Sequence, residues 1–134
     1  MLDQFLTALP SFLIYFVVAI ALMAAFVVVY INITPYQEIP LIRANNTAAA
    51  VSLAGSLLGF ALPISNVIAH SDTLLDLALW GVVAGVVQLL AYRVARLTLP
   101  HLDEDIPAGR IAPAIFLAAI SLAVGLLNAA CLSY

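Results

Sequence analysis

The residues from Ser11 to Ile33 read SFLIYFVVAIALMAAFVVVYINI, an apolar run without a charged side chain. A helix that crosses the hydrocarbon core of a bilayer needs about 20 such residues, so this run predicts a membrane span. Pro10 and Pro35 flank the run and mark its expected ends. The run is too long for a signal peptide, and the charge that precedes it is the acidic Asp3. We therefore expect a retained helix.

Three more apolar runs follow, so that the expected spans cover roughly residues 11–33, 47–69, 74–97 and 111–132. Hydrophobic residues make up 66% of the chain and charged residues only 8%. A soluble domain typically carries about 25% charged residues, so most of this surface must face lipid. The sequence predicts an all-α fold, an integral membrane four-helix bundle that forms a single membrane domain over residues 1–134.

The basic residues predict the orientation of the bundle. The chain has no lysine, and its four arginines are Arg43, Arg93, Arg96 and Arg110. All four lie in or beside the loops that follow the first and third spans, and these two loops share one side of the membrane. The positive-inside rule makes that side cytoplasmic. The N-terminus, the loop between spans two and three, and the C-terminus are then expected outside.

Spans two and four resemble each other, which predicts an internal repeat. AAAVSLA from Ala48 aligns without gaps with APAIFLA from Ala112, and EIP at Glu38 recurs as DIP at Asp105. Chance is the competing explanation, because alanine and leucine dominate both helices. A duplication would give two parallel two-helix repeats around an axis along the membrane normal. The repeat units would cover about 1–70 and 71–134.

Small residues let helix backbones approach closely, and close approach drives helix association in lipid. The first span contains no glycine, so we expect it at the periphery of the bundle. Contacts within one chain and contacts between copies remain alternatives, and the second would make a homo-oligomer. The expected packing positions in the other spans are Gly55, Gly59, Gly81, Gly85, Ser121 and Gly125.

Three segments carry a resemblance to a known family. GFALP at Gly59, LDLALWG at Leu75 and AIFLAAISLAVGLLNAA from Ala114 resemble the DUF350 family, also labelled UPF0719, of YjfL-like small inner-membrane proteins. The resemblance implies a bacterial inner-membrane protein built from a repeated two-helix unit. It also implies an association with envelope-stress proteins, and it supplies no catalytic residues.

Polar residues in the later part of span two, in span three and in span four allow two interpretations. They could line a small polar cavity that binds a cation, water or a polar headgroup. Alternatively, each has a local structural role: Thr73 and Asp76 fit a helix capping box, and Pro63 fits a packing kink. The amide side chains fit inter-helix hydrogen bonds. The candidate cavity residues are Ser65, Asn66, Asp72, Asp76, Gln88 and Asn128.

The two similar loops pair an acidic with a basic residue, Glu38 with Arg43 and Asp105 with Arg110. One interpretation is interfacial anchoring, in which the arginines reach lipid phosphates. The other is a docking surface for a cytosolic protein.

The residues exclude several function classes. A net charge of −3 with four basic residues argues against a nucleic-acid partner. The sequence lacks a nucleophile elbow and a phosphate loop, and lone His70 and Cys131 are no metal-ligand set. We therefore expect no enzyme activity, no cofactor and no metal.

The leading prediction is a non-enzymatic inner-membrane subunit or accessory protein in envelope maintenance or stress. It would contact membrane lipids, copies of itself and a cytosolic or membrane protein partner. The alternative is a small channel or transporter with a polar pathway between spans two, three and four.

Overall fold

A computed structural model describes residues 1–132 of the chain. The helices within these residues are α1 (Leu2–Ile33), α2 (Glu38–Arg43), α3 (Thr47–His70), α4 (Leu74–Thr98), α5 (Leu102–Asp105) and α6 (Ile111–Cys131). Helices α1, α3, α4 and α6 are long and apolar enough to cross a membrane, and the described residues contain no strand. The predicted all-α, four-helix membrane bundle is therefore confirmed.

Helix α1 begins at Leu2, nine residues before the expected start at Ser11, and Pro10 lies inside it. Its 32 residues give a length of about 48 Å, whereas the hydrocarbon core is about 30 Å thick. The apolar run marks only the part of the helix that lipid tails surround. Because every residue from 1 to 14 is exposed, the carbonyl that Pro10 leaves without a helical partner can be solvated at the membrane surface.

The short helices α2 and α5 interrupt the two loops that sequence patterns treat as irregular. Pro40 is the third residue of α2. Proline suits the first turn of a helix because the N–H groups there have no intrahelical acceptor. Four residues of α5 end at Asp105, and its first residue, Leu102, is fully buried. Both short helices thus fold the loops back onto the bundle.

The two loops end in the same way, with a left-handed residue immediately before the N-cap of a long helix. Asn45 has φ 67° and Gly109 has φ 79°, the left-handed region that asparagine and glycine tolerate best. The next residue is in each case the N-cap, Asn46 for α3 and Arg110 for α6. These positions are in the same register as the aligned helices. The correspondence favours the internal repeat, which stays a prediction.

The loops also contact each other. The Asn46 side chain accepts a hydrogen bond from Ala49 N at 3.0 Å and thereby caps α3. Its Nδ2 donates to the carbonyls of Ile106 at 3.0 Å and Pro107 at 3.2 Å. One side chain therefore ties both loops together at the end of the bundle that carries the arginines, called the arginine end below.

Helices α3 and α6 form the tightest interface and run in the same direction. Gly55 lies against Ala118, and the Asn66 side chain donates to the Ala129 carbonyl. Because both residue numbers increase together along this interface, the two helices are parallel. Helices α1 and α4 are also parallel, since Leu22 covers Gly81 and further along the ring of Tyr30 packs against that of Tyr92. These are the orientations that two parallel two-helix units would have.

Glycine is required at the centre of the α3–α6 interface. A Cβ at Gly59 would overlap the Ser121 carbonyl, and one at Gly125 would overlap the backbone of Gly59. Pro63 has no N–H, so the carbonyl of Gly59 also lacks its usual helical partner. That carbonyl lies nearest to the place of a Cβ on Gly125. The two backbones therefore touch at the point where α3 is least regular.

Helix α1 packs on the outside of this core. Its buried residues are Phe26 and Tyr30, both in its C-terminal third. The Phe26 ring stacks on Phe60 of α3 with centroids 4.4 Å apart. Toward its N-terminus, α1 leaves a cleft beside α3 of about 540 Å³. The members of this α1–α3 cleft are Ala8, Ser11, Phe12, Tyr15, Phe16, Ala19, Ile68 and Ser71.

Candidate functional site

Two of the predicted cavity residues meet in the middle of the bundle. Gln88 of α4 and Asn128 of α6 are 2% and 8% exposed. Gln88 Nε2 donates to the Ser121 carbonyl at 3.0 Å, and Asn128 Nδ2 lies 3.4 Å from Gln88 Oε1. Asn128 Nδ2 also donates to the Ala84 carbonyl at 3.3 Å. Both amides thus bond across helices, as polar side chains in lipid usually do.

The other predicted cavity residues lie nearer the end opposite the arginines and do not join this pair. Asn66 is half-buried and bonds to the Ala129 carbonyl of α6. Ser65 and Asp72 are exposed. Asp76 lies in the first turn of α4, where its N–H donates to the Thr73 hydroxyl at 3.1 Å. The six residues therefore divide between one buried pair and several separate positions.

At the arginine end, three of the four predicted docking residues, Arg43, Asp105 and Arg110, are exposed or half-buried. Arg43 is exposed, and the Arg110 guanidinium lies 3.5 Å from the Asp105 carboxylate. Glu38 differs from the expectation, because it is only 1% exposed. A side chain so deeply buried cannot bind a protein or a headgroup at the surface. Glu38 is buried because α2 turns its first residue inward, toward α1 and α4.

The buried Glu38 has one clear partner. The Thr34 hydroxyl, just past the end of α1, donates to Glu38 Oε1 at 2.6 Å. The second carboxylate oxygen, Oε2, is buried and has no hydrogen-bond partner among the described residues. No ion pair joins Glu38 to an arginine in this part of the chain. The backbone N–H of Glu38 itself also lies close enough to stabilise the carboxylate.

Three tyrosines surround this carboxylate from three directions. Tyr30 comes from α1, Tyr36 from the link to α2, and Tyr92 from α4; they are 1%, 4% and 1% exposed. The Tyr30 and Tyr92 rings meet edge to face, with centroids 5.5 Å apart. Tyr36 and Glu38 lie within electrostatic range of both rings' hydroxyls, and Arg96 lies beside Tyr92.

The hydroxyls of Tyr30, Tyr36 and Tyr92 are buried and lie outside ordinary hydrogen-bond geometry. Each nevertheless lies beside another polar side chain: Tyr30 beside Ser56 and Tyr36, Tyr36 beside Tyr92, and Tyr92 beside Arg96. Glu38 Oε2 is the fourth buried oxygen of this group. Leaving one buried polar group unpaired costs about 1–3 kcal/mol, and more for a charged group. We call Tyr30, Tyr36, Glu38 and Tyr92 the tyrosine–glutamate cluster.

Burial also changes the acid–base properties of the cluster. Burial raises the pKa of the Glu38 carboxyl, and the hydrogen bond from Thr34 opposes this shift. Burial raises the pKa of Tyr36 as well, and its neighbours Tyr30, Tyr92 and Glu38 raise it further. Desolvation is the cause in both cases, because a charge is poorly stabilised away from water. The site therefore disfavours an uncompensated negative charge.

Sequence patterns missed this cluster for identifiable reasons. Tyr30 and Tyr92 lie near span ends, where tyrosine usually serves as an interfacial anchor. Glu38 lies in a loop with Arg43, a setting typical of solvated charge. One signal was available in the sequence: three of the five tyrosines, Tyr30, Tyr36 and Tyr92, lie within about two helical turns of the arginine end. Among the described residues, no three His, Cys, Asp or Glu side chains converge to hold a metal ion.

Four spanning helices, a core joined by glycines and amides, and short loops define a polytopic helical membrane protein. The sequence pattern described as Domain of Unknown Function (DUF350) matches residues 4–132. The chain belongs to the DUF350 family.

Two relatives agree with this assignment. The chain is 37% identical to the UPF0719 inner membrane protein YjfL of Escherichia coli strain K12, over 96% of this chain and 98% of the relative. It is 29% identical to the UPF0719 transmembrane protein YshE of Bacillus subtilis strain 168, over 68% of each. The chain is therefore a multi-pass protein of a bacterial inner membrane. No solved structure matches it.

Proposed function

We propose that the protein is a non-enzymatic subunit of an inner-membrane assembly, and that it serves envelope maintenance by binding a membrane protein partner. The partner would contribute an apolar membrane-spanning helix. The observation that carries this proposal is the unpacked N-terminal part of α1, in which residues 1–14 are all exposed.

The α1–α3 cleft is the part of the surface that best fits such a helix. Phe12 and Phe16 stack with centroids 5.8 Å apart and remain 59% and 54% exposed. Two small residues of α1 that line the cleft, Ala8 and Ser11, leave room for a second backbone. The Ser71 hydroxyl beside the cleft is buried and unpaired among the described residues. A partner helix would fill the cleft with apolar contacts and could bond this hydroxyl.

The orientation belongs to the same proposal. With the arginine end in the cytoplasm, the cleft opens toward the outer leaflet, and both termini lie outside. Exposed Arg43 and the Arg110–Asp105 pair would then face the cytosol. They would bind anionic headgroups or a cytosolic component of the same assembly.

The test combines native mass spectrometry with site-specific cross-linking in the natural membrane. A photo-reactive residue at Phe12 is expected to cross-link one second protein. Native mass spectrometry is expected to show that same protein in a fixed ratio. Phe12→Ala with Tyr15→Ala should weaken the complex by roughly tenfold, the effect of about 1.4 kcal/mol of lost contact.

Val94 of α4 supplies the matched control, since it is 53% exposed on another helix. A photo-reactive residue there should give no such cross-link, and Val94→Ala should leave the complex intact. A chain that appears only with copies of itself would contradict the proposal. That result would favour the channel or transporter, to be tested by solute flux into liposomes with Gln88 altered.

A further inference from the structure

Two arginines share one groove at the arginine end of α4. Arg93 and Arg96 line a cavity of about 480 Å³ together with Leu97 and Pro100, at the place where the chain leaves α4. Residues three and four apart lie on the same face of a helix, so Arg93, Arg96 and Leu97 project to the same side. The groove therefore combines two positive charges with an apolar wall.

No acidic side chain neutralises these two charges directly. Among the described residues, no carboxylate forms an ion pair with Arg93 or Arg96. Arg93 is exposed, and Arg96 is half-buried beside the hydroxyl of Tyr92. The buried Glu38 carboxyl bonds instead to the Thr34 hydroxyl. The groove thus offers both guanidinium groups to an anionic ligand.

The groove lies near the depth of the lipid phosphates. The 25 residues of α4 give a length of about 38 Å, against a hydrocarbon core of about 30 Å, and Arg93 lies about one and a half turns before the end of the helix. Val94 and Leu97, beside the arginines, are 53% and 84% exposed, as expected for side chains that face lipid. An arginine at this depth extends its charge to the headgroup layer. A ligand of this groove therefore comes from the membrane.

We propose that Arg93 and Arg96 bind one molecule of cardiolipin, the anionic lipid that carries two phosphates, with an acyl chain against Leu97. Guanidinium groups pair with phosphate through two parallel hydrogen bonds, and two of them match two phosphates. Phosphatidylglycerol has one phosphate and would leave one arginine without a partner. Phosphatidylethanolamine carries an ammonium group, which the second arginine would repel. Basic pockets on the cytoplasmic side of membrane proteins are known to bind cardiolipin headgroups.

This site does not depend on the partner helix proposed above. The α1–α3 cleft opens at the other end of the bundle, and none of its members lines the arginine groove. A chain that binds cardiolipin without a protein partner, or a partner without cardiolipin, would therefore separate the two proposals.

The test is native mass spectrometry of the full chain in nanodiscs that contain equal amounts of cardiolipin, phosphatidylglycerol and phosphatidylethanolamine. The collision energy is raised until loosely held lipids leave the protein. We expect one cardiolipin per chain to remain after the other two lipids have dissociated. Inorganic phosphate added to the sample should not displace it.

Variants assign the retained lipid to the groove. Arg93→Gln and Arg96→Gln each remove one guanidinium and should weaken cardiolipin binding roughly tenfold, as expected for losing hydrogen bonds to a charged group. Arg110→Gln is the matched control, since it removes the same charge from the same end of the molecule. Its guanidinium lies 3.5 Å from Asp105 and outside the groove, so this variant should retain cardiolipin like the original chain.

Each outcome decides for or against the site. Retention of cardiolipin alone, weakened in both groove variants and unchanged in Arg110→Gln, supports it. Equal retention of phosphatidylglycerol, displacement by phosphate, an equal loss in Arg110→Gln, or a cardiolipin adduct unaltered in the groove variants overturns it. Arg93 is exposed, so Arg93→Gln decides the matter if circular dichroism shows that Arg96→Gln does not fold.

Discussion

Individual residues decide how closely the helices of this protein can approach. Gly59 and Gly125 place two backbones in direct contact, and Gln88 and Asn128 bond beside that contact. The position of Gln88 could be predicted, because an amide in the middle of an apolar span must find a partner. The burial of Glu38 could not be predicted, because it depends on how α2 folds back rather than on its sequence neighbours.

Gly125→Ala is expected to destabilise the bundle by about 2 kcal/mol, since a Cβ there overlaps the Gly59 backbone and the helices must separate. Gly85→Ala is the matched control. A Cβ at Gly85 would meet the Phe60 ring only at 3.4 Å, an ordinary contact distance. Thermal unfolding in mild detergent, followed by circular dichroism, measures the stability of both variants. Equal loss in the two variants would contradict the role of the α3–α6 contact.

Glu38 predicts a pH dependence of stability. Burial raises the pKa of this carboxyl in the folded protein, so the folded chain holds the proton to higher pH than the unfolded chain. The free energy of unfolding should therefore fall as pH rises from the ordinary carboxyl pKa through the raised one. The titratable and charged groups beside this carboxyl are Tyr30, Tyr36, Tyr92 and Arg96.

Glu38→Gln should remove this slope from the pH profile of the melting temperature. Glu104→Gln changes an exposed acid and should leave the slope in place. A profile that is the same in the original chain and in Glu38→Gln would show that the carboxyl is not desolvated.

At the scale of elements, hydropathy locates the four spanning helices well. The structure begins α3 at Thr47 and α4 at Leu74, the predicted residues, and ends α6 at Cys131, one residue early. Hydropathy fails where a helix continues past the hydrocarbon, as in the first nine residues of α1. It also fails for α2 and α5, because helices of six and four residues show no periodic pattern. Their folding depends on contacts with the bundle.

Asn46→Ala should loosen two elements at once. The substitution removes the N-cap of α3 and both hydrogen bonds to the second loop, an expected loss of about 1–2 kcal/mol. Hydrogen exchange measured by mass spectrometry should become faster at residues 47–50 and also at 102–110. Asn45→Gly is the control, since glycine suits the left-handed backbone there. Faster exchange at 47–50 alone would show that the loops are independent.

At the scale of the whole molecule, the helices form two parallel pairs, α1 with α4 and α3 with α6. The even number of crossings between the similar segments could be read from the sequence, and it dictates this arrangement. The sequence does not show which of the two pairs forms the core, because small residues occur in α3, α4 and α6 alike. Only the three-dimensional packing shows that the α4 glycines Gly81 and Gly85 are covered by the side chains of Leu22 and Phe60.

The parallel α3–α6 pair has a consequence for biosynthesis. Helix α6 follows α3 and α4 along the chain, so it leaves the ribosome after both have been delivered to the translocon. Until then, α3 stays in the bilayer with the Gly59 carbonyl on a side that has no neighbour. Helix α1, which needs few contacts, can enter the lipid at once. Nascent chains that stop before α6 should therefore be recognised by insertase or membrane proteases as unfinished.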